Sequence, residues 1–107
     1  MEPPMFTALV QFRLPQPITV AKTKAIFTST ARRYLGTAGL IRKYYVLYED
    51  GQTAGGVYVW ASRAAAERMY NDTWHAFVMQ KYGAEPWLTY FETPVLVDNV
   101  SQEIVQG

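Results

Sequence analysis

The chain has 107 residues, of which half are hydrophobic and 15% aromatic, with a net charge of +1 and no cysteine. This composition predicts one domain with one hydrophobic core and excludes general disorder. The small net charge gives no electrostatic basis for a nucleic-acid or anionic-membrane partner. The absence of cysteine excludes disulfides, thiolate nucleophiles and cysteine metal sites.

The amino-terminal segment and the hydropathy pattern predict where the protein resides. The start, Met-Glu-Pro-Pro, is acidic and proline-rich, unlike the basic start of a secretory signal. No apolar run approaches the roughly 18 residues that a membrane span needs. We therefore expect a soluble, cytoplasmic protein with no membrane partner.

The first half of the chain predicts a strand, a helix and a second strand. Apolar side chains recur at every second position of residues 5–14, which predicts a strand. Pro15 and Pro17 end it, because proline has no backbone N–H to donate to a neighbouring strand. Thr19 is a suitable N-cap for a helix over about 20–35. Residues 40–49 form the second predicted strand. One face of the first strand carries Phe6, Ala8, Val10, Phe12 and Leu14.

A hairpin follows. Asp50-Gly51 is a turn signal, so the strand predicted over 55–61 should pair with the strand before it. The Gly55-Gly56 pair lacks the lysine and the glycine spacing of a phosphate-binding loop. Its expected role is a bulge or a close approach of two backbones.

Two helical pieces come next. Ser62 can cap a helix that runs through the alanines to Tyr70. A short polar run interrupts the helix there, and Asp72 or Thr73 is the expected cap of the second piece. That piece should end at Gly83.

A final strand over 87–97 and a polar tail complete the chain. Pro94 should mark a bulge or a sheet edge within that strand. Residues 99–107 are mostly polar and are expected to form an arm. The remainder, residues 1–98, should form a single domain.

The order strand–helix–strand–strand–helix–strand predicts the fold class. Right-handed crossovers give an α+β protein, with one four-stranded antiparallel sheet and its helices on a single face. This is the ferredoxin-like βαββαβ plait.

The predicted sheet is apolar on both faces. On the third strand Val57 and Val59 point one way, whereas Tyr58 and Trp60 point the other. Helices cover one face only, and an exposed apolar sheet face exceeds what monomers tolerate. We therefore expect a homodimer formed through the sheet face. The alternative is that the carboxyl-terminal arm covers that face within one chain.

Two segments carry a family resemblance. The run Gly39–Tyr45 (GLIRKYY), then Ala54–Trp60 (AGGVYVW), then an alanine-rich helix ending at Tyr70, resembles the YdhR-like monooxygenases. These belong to the antibiotic-biosynthesis-monooxygenase group of dimeric α/β-barrel proteins. The resemblance covers roughly residues 5–98, and the Ala-Gly-Gly-Val-Tyr segment is its most specific part.

The resemblance implies an activity as well as a fold. It implies a dimeric α/β barrel with a pocket between sheet and helices in each subunit. Family chemistry oxidises small phenolic or quinol-like substrates without metal or flavin, because the deprotonated substrate itself supplies the electrons. The protein contributes a dry cavity and groups that bind and deprotonate the substrate. The expected function is therefore a cofactor-independent monooxygenase acting on a small aromatic compound.

One histidine and two aromatic residues are the first site candidates. His75 is the single histidine and is the expected catalytic base, since imidazole titrates near neutrality. Tyr58 and Trp60 share a strand face and could form the wall of a pocket for a planar ligand. The alternatives are a surface or half-buried helix histidine and ordinary core packing.

The second strand supplies the polar candidates. Tyr44 or Arg42 is the expected anchor for the substrate. Arg42 and Lys43 could together hold an anionic substrate oxygen. The alternative for these two basic residues is salt bridging at the rim.

Other functions stay open. A non-catalytic dimer that binds an apolar metabolite, or a structural dimer without a cavity, would explain the same pattern. A haem-degrading activity is disfavoured because no asparagine in the first strand accompanies Trp60 and His75. One histidine and scattered carboxylates cannot form a zinc site, so no metal or other cofactor is expected.

Overall fold

The computed structural model describes residues 5–107 and confirms the predicted α+β, ferredoxin-like fold. The main sheet has four antiparallel strands in the order β2-β3-β1-β4. The start of the chain, on which the secretion argument rests, lies outside the described residues. Within that described part, no helix is long and apolar enough to cross a membrane. The elements are β1 Met5–Arg13, α1 Val20–Ala31, β2 Leu40–Leu47, β3 Thr53–Trp60, α2 Arg63–Met69, α3 Asp72–Tyr82, β4 Trp87–Thr93, β5 Val95–Asp98 and β6 Glu103–Gln106.

The core lies between the sheet and the three helices. The alternation predicted for the first strand holds, because one face of β1 is buried along its whole length. Trp60 and Val10 are the largest fully buried side chains. The buried face of β1 consists of Phe6, Ala8, Val10 and Phe12, and Leu14 continues it past the strand.

The helix starts follow the capping rules, with one shift. Thr19 accepts a hydrogen bond from the Lys22 amide, and Ser62 accepts one from the Ala65 amide, as predicted. The third helix is capped by Asn71 rather than by Asp72 or Thr73. Asn71 has an extended backbone and its side chain reaches the Trp74 amide, which is the geometry of an N-cap.

The first helix is shorter than predicted. It ends at Ala31, and residues 32–36 form turns instead of a further helical turn. The amides of Arg33 and Tyr34 bond to carbonyls three residues back, which tightens the chain in the way usual at helix ends. This turn directs Tyr34 into the core.

The glycine pair in β3 lies in regular ladder register with both neighbouring strands. The observed irregularity falls instead in β2, between Leu40 and Arg42. A Cβ atom on Gly55 would overlap the carbonyl oxygen of Val10. Of the two roles predicted for this pair, close backbone approach is therefore the one observed.

The last predicted strand is divided at Pro94. β4 ends at Thr93, and β5 pairs with β6 as a separate two-stranded hairpin. The Arg42 guanidinium on β2 contacts the Asp98 carboxylate at 2.7 Å, although β2 and β4 are opposite edges of the sheet. Strands lie about 4.8 Å apart, so β5 must cross the width of the sheet at one end.

The sheet face opposite the helices stays largely exposed. Tyr44 on β2 is 51% exposed, and Trp87 and Phe91 on β4 are 48% and 49% exposed. We call this surface the outer face. The hairpin contacts β2 through the Arg42–Asp98 salt bridge and exposes apolar side chains of its own, namely Val95, Val97 and Ile104.

Candidate functional site

A lysine enclosed by tyrosine rings is the most unusual side-chain cluster of the described chain. Lys43 on β2 lies directly opposite Tyr58 on β3. Its Nζ atom is 3.3 Å from the ring centroid of Tyr34, 3.8 Å from that of Tyr45 and 4.6 Å from that of Tyr58. We call these four residues the lysine–tyrosine cluster. The three strand residues project toward the helix layer, and Tyr34 points into the core from the turn after α1.

Gly56 provides the space for this cluster. It pairs with Tyr45 on β2, and a Cβ atom there would lie 3.0 Å from the Tyr58 ring and 3.2 Å from Cε of Lys43. Both distances are tighter than ordinary van der Waals contact. Glycine at this position therefore lets the lysine stem and the tyrosine ring approach the sheet.

The cluster contains one amine and no carboxylate. Among residues 5–107, no carboxylate forms a salt bridge with Lys43. Burial, together with the nearby Arg33 guanidinium, lowers the pKa of Lys43 to about 6. The three ring faces act in the opposite sense, since aromatic rings attract a cation. The neutral amine and the ammonium are therefore closer in free energy here than for a solvated lysine.

The tyrosine hydroxyls of the cluster are held by hydrogen bonds or burial. The Tyr45 hydroxyl pairs with Thr30 Oγ1 at 2.8 Å, and Trp74 Nε1 donates to the Tyr34 hydroxyl at 3.3 Å. Burial raises the pKa of Tyr45, and it raises the pKa of Tyr58 well above the usual value. These phenols therefore stay protonated near neutral pH and supply rings and dipoles rather than charge.

Two hollows open along the edge between α1 and β2, and Tyr45 and Ala31 border both. The first, the wide hollow, has a volume of about 420 Å³; the second, the lysine hollow, has about 240 Å³. The wide hollow falls in the usual size range of small-molecule sites. It is lined by Val20, Thr23, Lys24, Phe27, Thr28, Ala31, Tyr45 and Leu47. The lysine hollow is lined by Ala31, Tyr34, Leu35, Gly36, Leu40, Ile41, Arg42, Lys43 and Tyr45.

An enclosed space also lies behind the cluster, between sheet and helices. Its volume is about 20 Å³, which is room for about one water molecule. Lys43 and Tyr45 line this space as well as the lysine hollow. A ligand of several rings therefore does not fit in this enclosed space.

The two predicted wall residues are core residues. Trp60 is completely buried, and its Nε1 donates to the Tyr70 hydroxyl at 3.1 Å. Tyr58 is 3% exposed, and its ring stacks parallel to that of Trp60. Tyr58 touches the site through Lys43, whereas Trp60 supports Tyr58 from behind.

The two predicted anchors occupy different positions. Tyr44 is on the outer face, and Arg42 makes its salt bridge to Asp98 of the hairpin. Arg42 also borders the lysine hollow, so it is the member of this pair nearest the cluster.

His75 is half-buried on α3, with its ring 5.1 Å from that of Trp74. It lines neither of the two hollows nor the enclosed space. Its assignment as the catalytic base stays a prediction.

The sequence predicted that Lys43 could hold an anionic substrate oxygen together with Arg42, but its place among the tyrosine rings was not predicted, although a signal for it existed. Lys43, Tyr45 and Leu47 follow one another at every second position of β2, so they share the strand face that points toward the helices. A lysine on the apolar side of an alternating strand is unusual, because lysine is among the residues least often buried. Within the described chain, no cluster of histidine, cysteine or carboxylate side chains could hold a metal ion.

Comparison with known proteins identifies the fold at low sequence identity. No family model and no curated protein matches the chain. A protein of unknown function from Nitrosomonas europaea superposes with a TM-score of 0.65 at 15% identity, covering 87% of this chain and 92% of the other. SnoaB, a cofactor-independent oxygenase from Streptomyces nogalater, superposes at 0.62 and 15% identity, covering 84% and 93%.

A third similar structure carries a bound ligand. It is a monooxygenase from the gene ActVA-Orf6 of Streptomyces coelicolor, in complex with Nanaomycin D, with a TM-score of 0.64 and 18% identity. The match covers 84% of this chain and 88% of the other. The chain thus has the fold that the antibiotic-biosynthesis-monooxygenase resemblance implied, while the YdhR-like subgroup stays a prediction.

Proposed function

We propose that this protein is a cofactor-independent monooxygenase that oxidises a small phenolic or quinol-like aromatic compound bound between α1 and β2. The observation that carries the proposal is a hollow of ligand size that shares Ala31 and Tyr45 with a second hollow, which is bordered by Lys43, a lysine with no salt bridge among residues 5–107. The fold supports it, because the similar structures include a cofactor-independent oxygenase and a monooxygenase with a bound ligand.

In this reaction the substrate itself supplies the electrons. Once deprotonated, an anthrone or quinol can transfer an electron to dioxygen, and the resulting radicals can combine. For an anthrone, the methylene group becomes a carbonyl and the second oxygen atom leaves as water, so atoms and electrons balance. The protein then needs only to hold the ring, exclude water and accept a proton.

Filling the hollows should lower the catalytic efficiency. Ala31, at the end of α1, borders both hollows and is exposed, so Ala31→Trp should occupy ligand space without disturbing the core. We expect kcat/KM for the best substrate of a quinol and anthrone panel to fall roughly tenfold or more, measured as oxygen consumption. The matched control is Ala25→Trp, an exposed position on the same helix that borders neither hollow.

The outcome separates catalysis from binding. Unchanged activity of Ala31→Trp, or an equal loss in Ala25→Trp, would contradict a site between α1 and β2. Ligand-dependent thermal stabilisation without oxygen consumption by any panel member would instead support a non-catalytic dimer that binds an aromatic metabolite.

We also propose that two copies associate through the outer face. In an antiparallel sheet with one exposed face, the strands normally place polar residues on that face. Here large apolar side chains occupy the exposed face. The accessible surface is 7098 Å², whereas a monomeric protein of 12.2 kDa exposes about 6,100 Å². The hairpin, which reaches β2 through the Arg42–Asp98 salt bridge, exposes further apolar side chains that a second copy could cover.

A charge on the outer face should dissociate this dimer. In a two-fold dimer, Phe91→Glu places a carboxylate in the interface twice. At about 2 kcal/mol for each, the dissociation constant should rise roughly a thousandfold. The control is Met79→Glu on α3, whose side chain is 45% exposed, close to the 49% of Phe91. Sedimentation velocity over a concentration series measures both; a monomeric wild-type protein would contradict the proposal.

A further inference from the structure

The lysine–tyrosine cluster has the electrostatics of an incomplete ion pair. Lys43 Nζ is surrounded by three tyrosine rings, and among residues 5–107 it has no carboxylate partner. A charge on a half-buried amine is normally paired or hydrogen-bonded, and without a partner the neutral amine is favoured. The missing partner is therefore an anion, or an acid that becomes one on binding.

The surroundings define what kind of partner fits. The hollow beside Lys43 is lined mainly by aliphatic and aromatic side chains, and Arg42, which is paired with Asp98, lies at its border. Arg33 contributes further positive potential. An aromatic ring that carries an ionisable oxygen matches both the apolar lining and the positive charge.

We propose that Lys43 accepts the proton of an acidic phenol and then holds the phenolate, so that substrates of this protein bind with a phenolic oxygen against Lys43 Nζ. The aromatic identity of the ligand rests on the proposed function. In this step the phenolic O–H bond breaks and its electron pair stays on oxygen, while the amine lone pair forms a new N–H bond. The three ring faces then stabilise the ammonium that results.

The groups that face Lys43 leave it as the acceptor. Tyr34, Tyr45 and Tyr58 surround it, and Tyr82 of α3 borders the same enclosed space. Burial raises the pKa of Tyr82 to about 12, so this phenol stays neutral like those of Tyr45 and Tyr58. Arg33 is a permanent cation, which disfavours a charge on free Lys43 and favours a bound anion.

The test uses 4-nitrophenol, whose ionised form absorbs visible light, and 4-nitroanisole, its methyl ether without an acidic proton. Near pH 8, binding of 4-nitrophenolate to the wild-type protein should take up about one proton per ligand. Calorimetry in two buffers of different ionisation enthalpy measures this uptake. The visible band should persist, because the proton goes to Lys43 and not to the ligand. Lys43→Met should weaken 4-nitrophenolate binding roughly tenfold to a hundredfold and leave 4-nitroanisole binding unchanged.

Each other outcome would overturn the proposal. Loss of the visible band would place the proton on the ligand, and binding without proton uptake would mean that Lys43 is already charged. Proton uptake that survives Lys43→Met but not His75→Ala would make His75 the acceptor. No binding of 4-nitrophenolate to wild type would refute the ligand class. None of these readouts depends on oxygen consumption, so a failure of the proposed oxygenase activity remains distinguishable.

Discussion

Replacing Trp60 with alanine is expected to lower the free energy of unfolding by about 3–5 kcal/mol, the range for large aromatic side chains deleted from cores. Trp60 is completely buried, stacks on Tyr58 with centroids 6.1 Å apart, and donates to the Tyr70 hydroxyl. The substitution leaves a cavity, removes ring contacts and deprives a half-buried hydroxyl of its donor. Urea denaturation followed by circular dichroism measures the change.

Two further variants separate the causes of this loss. Trp60→Phe keeps much of the ring but loses the hydrogen bond to Tyr70, so about 1–2 kcal/mol should be lost. Leu35→Ala, at a position 79% exposed, should stay within about 0.5 kcal/mol of wild type. Equal effects of Trp60→Ala and Leu35→Ala would contradict the packing described for β3.

The fold was predictable from the sequence because several local signals agree with it. The alternation along β1 identified its buried face, and the side-chain oxygens of Thr19 and Ser62 identified two helix starts. The third start was ambiguous, since Asn71, Asp72 and Thr73 can each act as an N-cap. Only the backbone geometry of the folded chain shows which of the three is the cap.

The end of the chain was predicted less well, for a related reason. Pro94 was expected to disturb the last strand, and it separates β4 from β5. The pairing of β5 with β6 depends on a turn in which Gln102 has a positive φ of 62°. Glutamine gives no sequence signal for that conformation, which favours glycine and asparagine.

The candidate site needed the three-dimensional structure. Alternation places Lys43 with Tyr45 on one side of β2, but it does not say which side the helices cover. The cluster also includes Tyr34, from the turn after α1, and Tyr58, from the next strand. Residues from three separate segments meet there, and no periodicity within one segment predicts their meeting.

Lys43→Met is expected to stabilise the protein most at low pH. The pKa of Lys43 is about 6 in the folded chain, below the value near 10.4 of an unfolded lysine. Between these values the unfolded chain binds one proton more, so the free energy of unfolding falls as the pH is lowered toward 6. Below pH 6 both states bind the proton and the contribution becomes constant. The variant lacks this dependence.

Titration of Lys43 can change the free energy of unfolding by at most about 1.4 kcal/mol per pH unit. Solvent and the three tyrosine rings reduce this effect, because both stabilise the ammonium in the folded chain. We therefore expect the free energy of unfolding of Lys43→Met to exceed that of wild type by roughly 1–3 kcal/mol at pH 6. The difference should become smaller toward pH 9. Urea denaturation across this range measures it, and taking the difference between the two proteins removes the contributions of all other titrating groups. For Lys22→Met, at an exposed position of α1, the free energy of unfolding should change with pH as it does in wild type. If the same held for Lys43→Met, Lys43 would be charged throughout the range, and a charged lysine cannot accept the proton of a phenol.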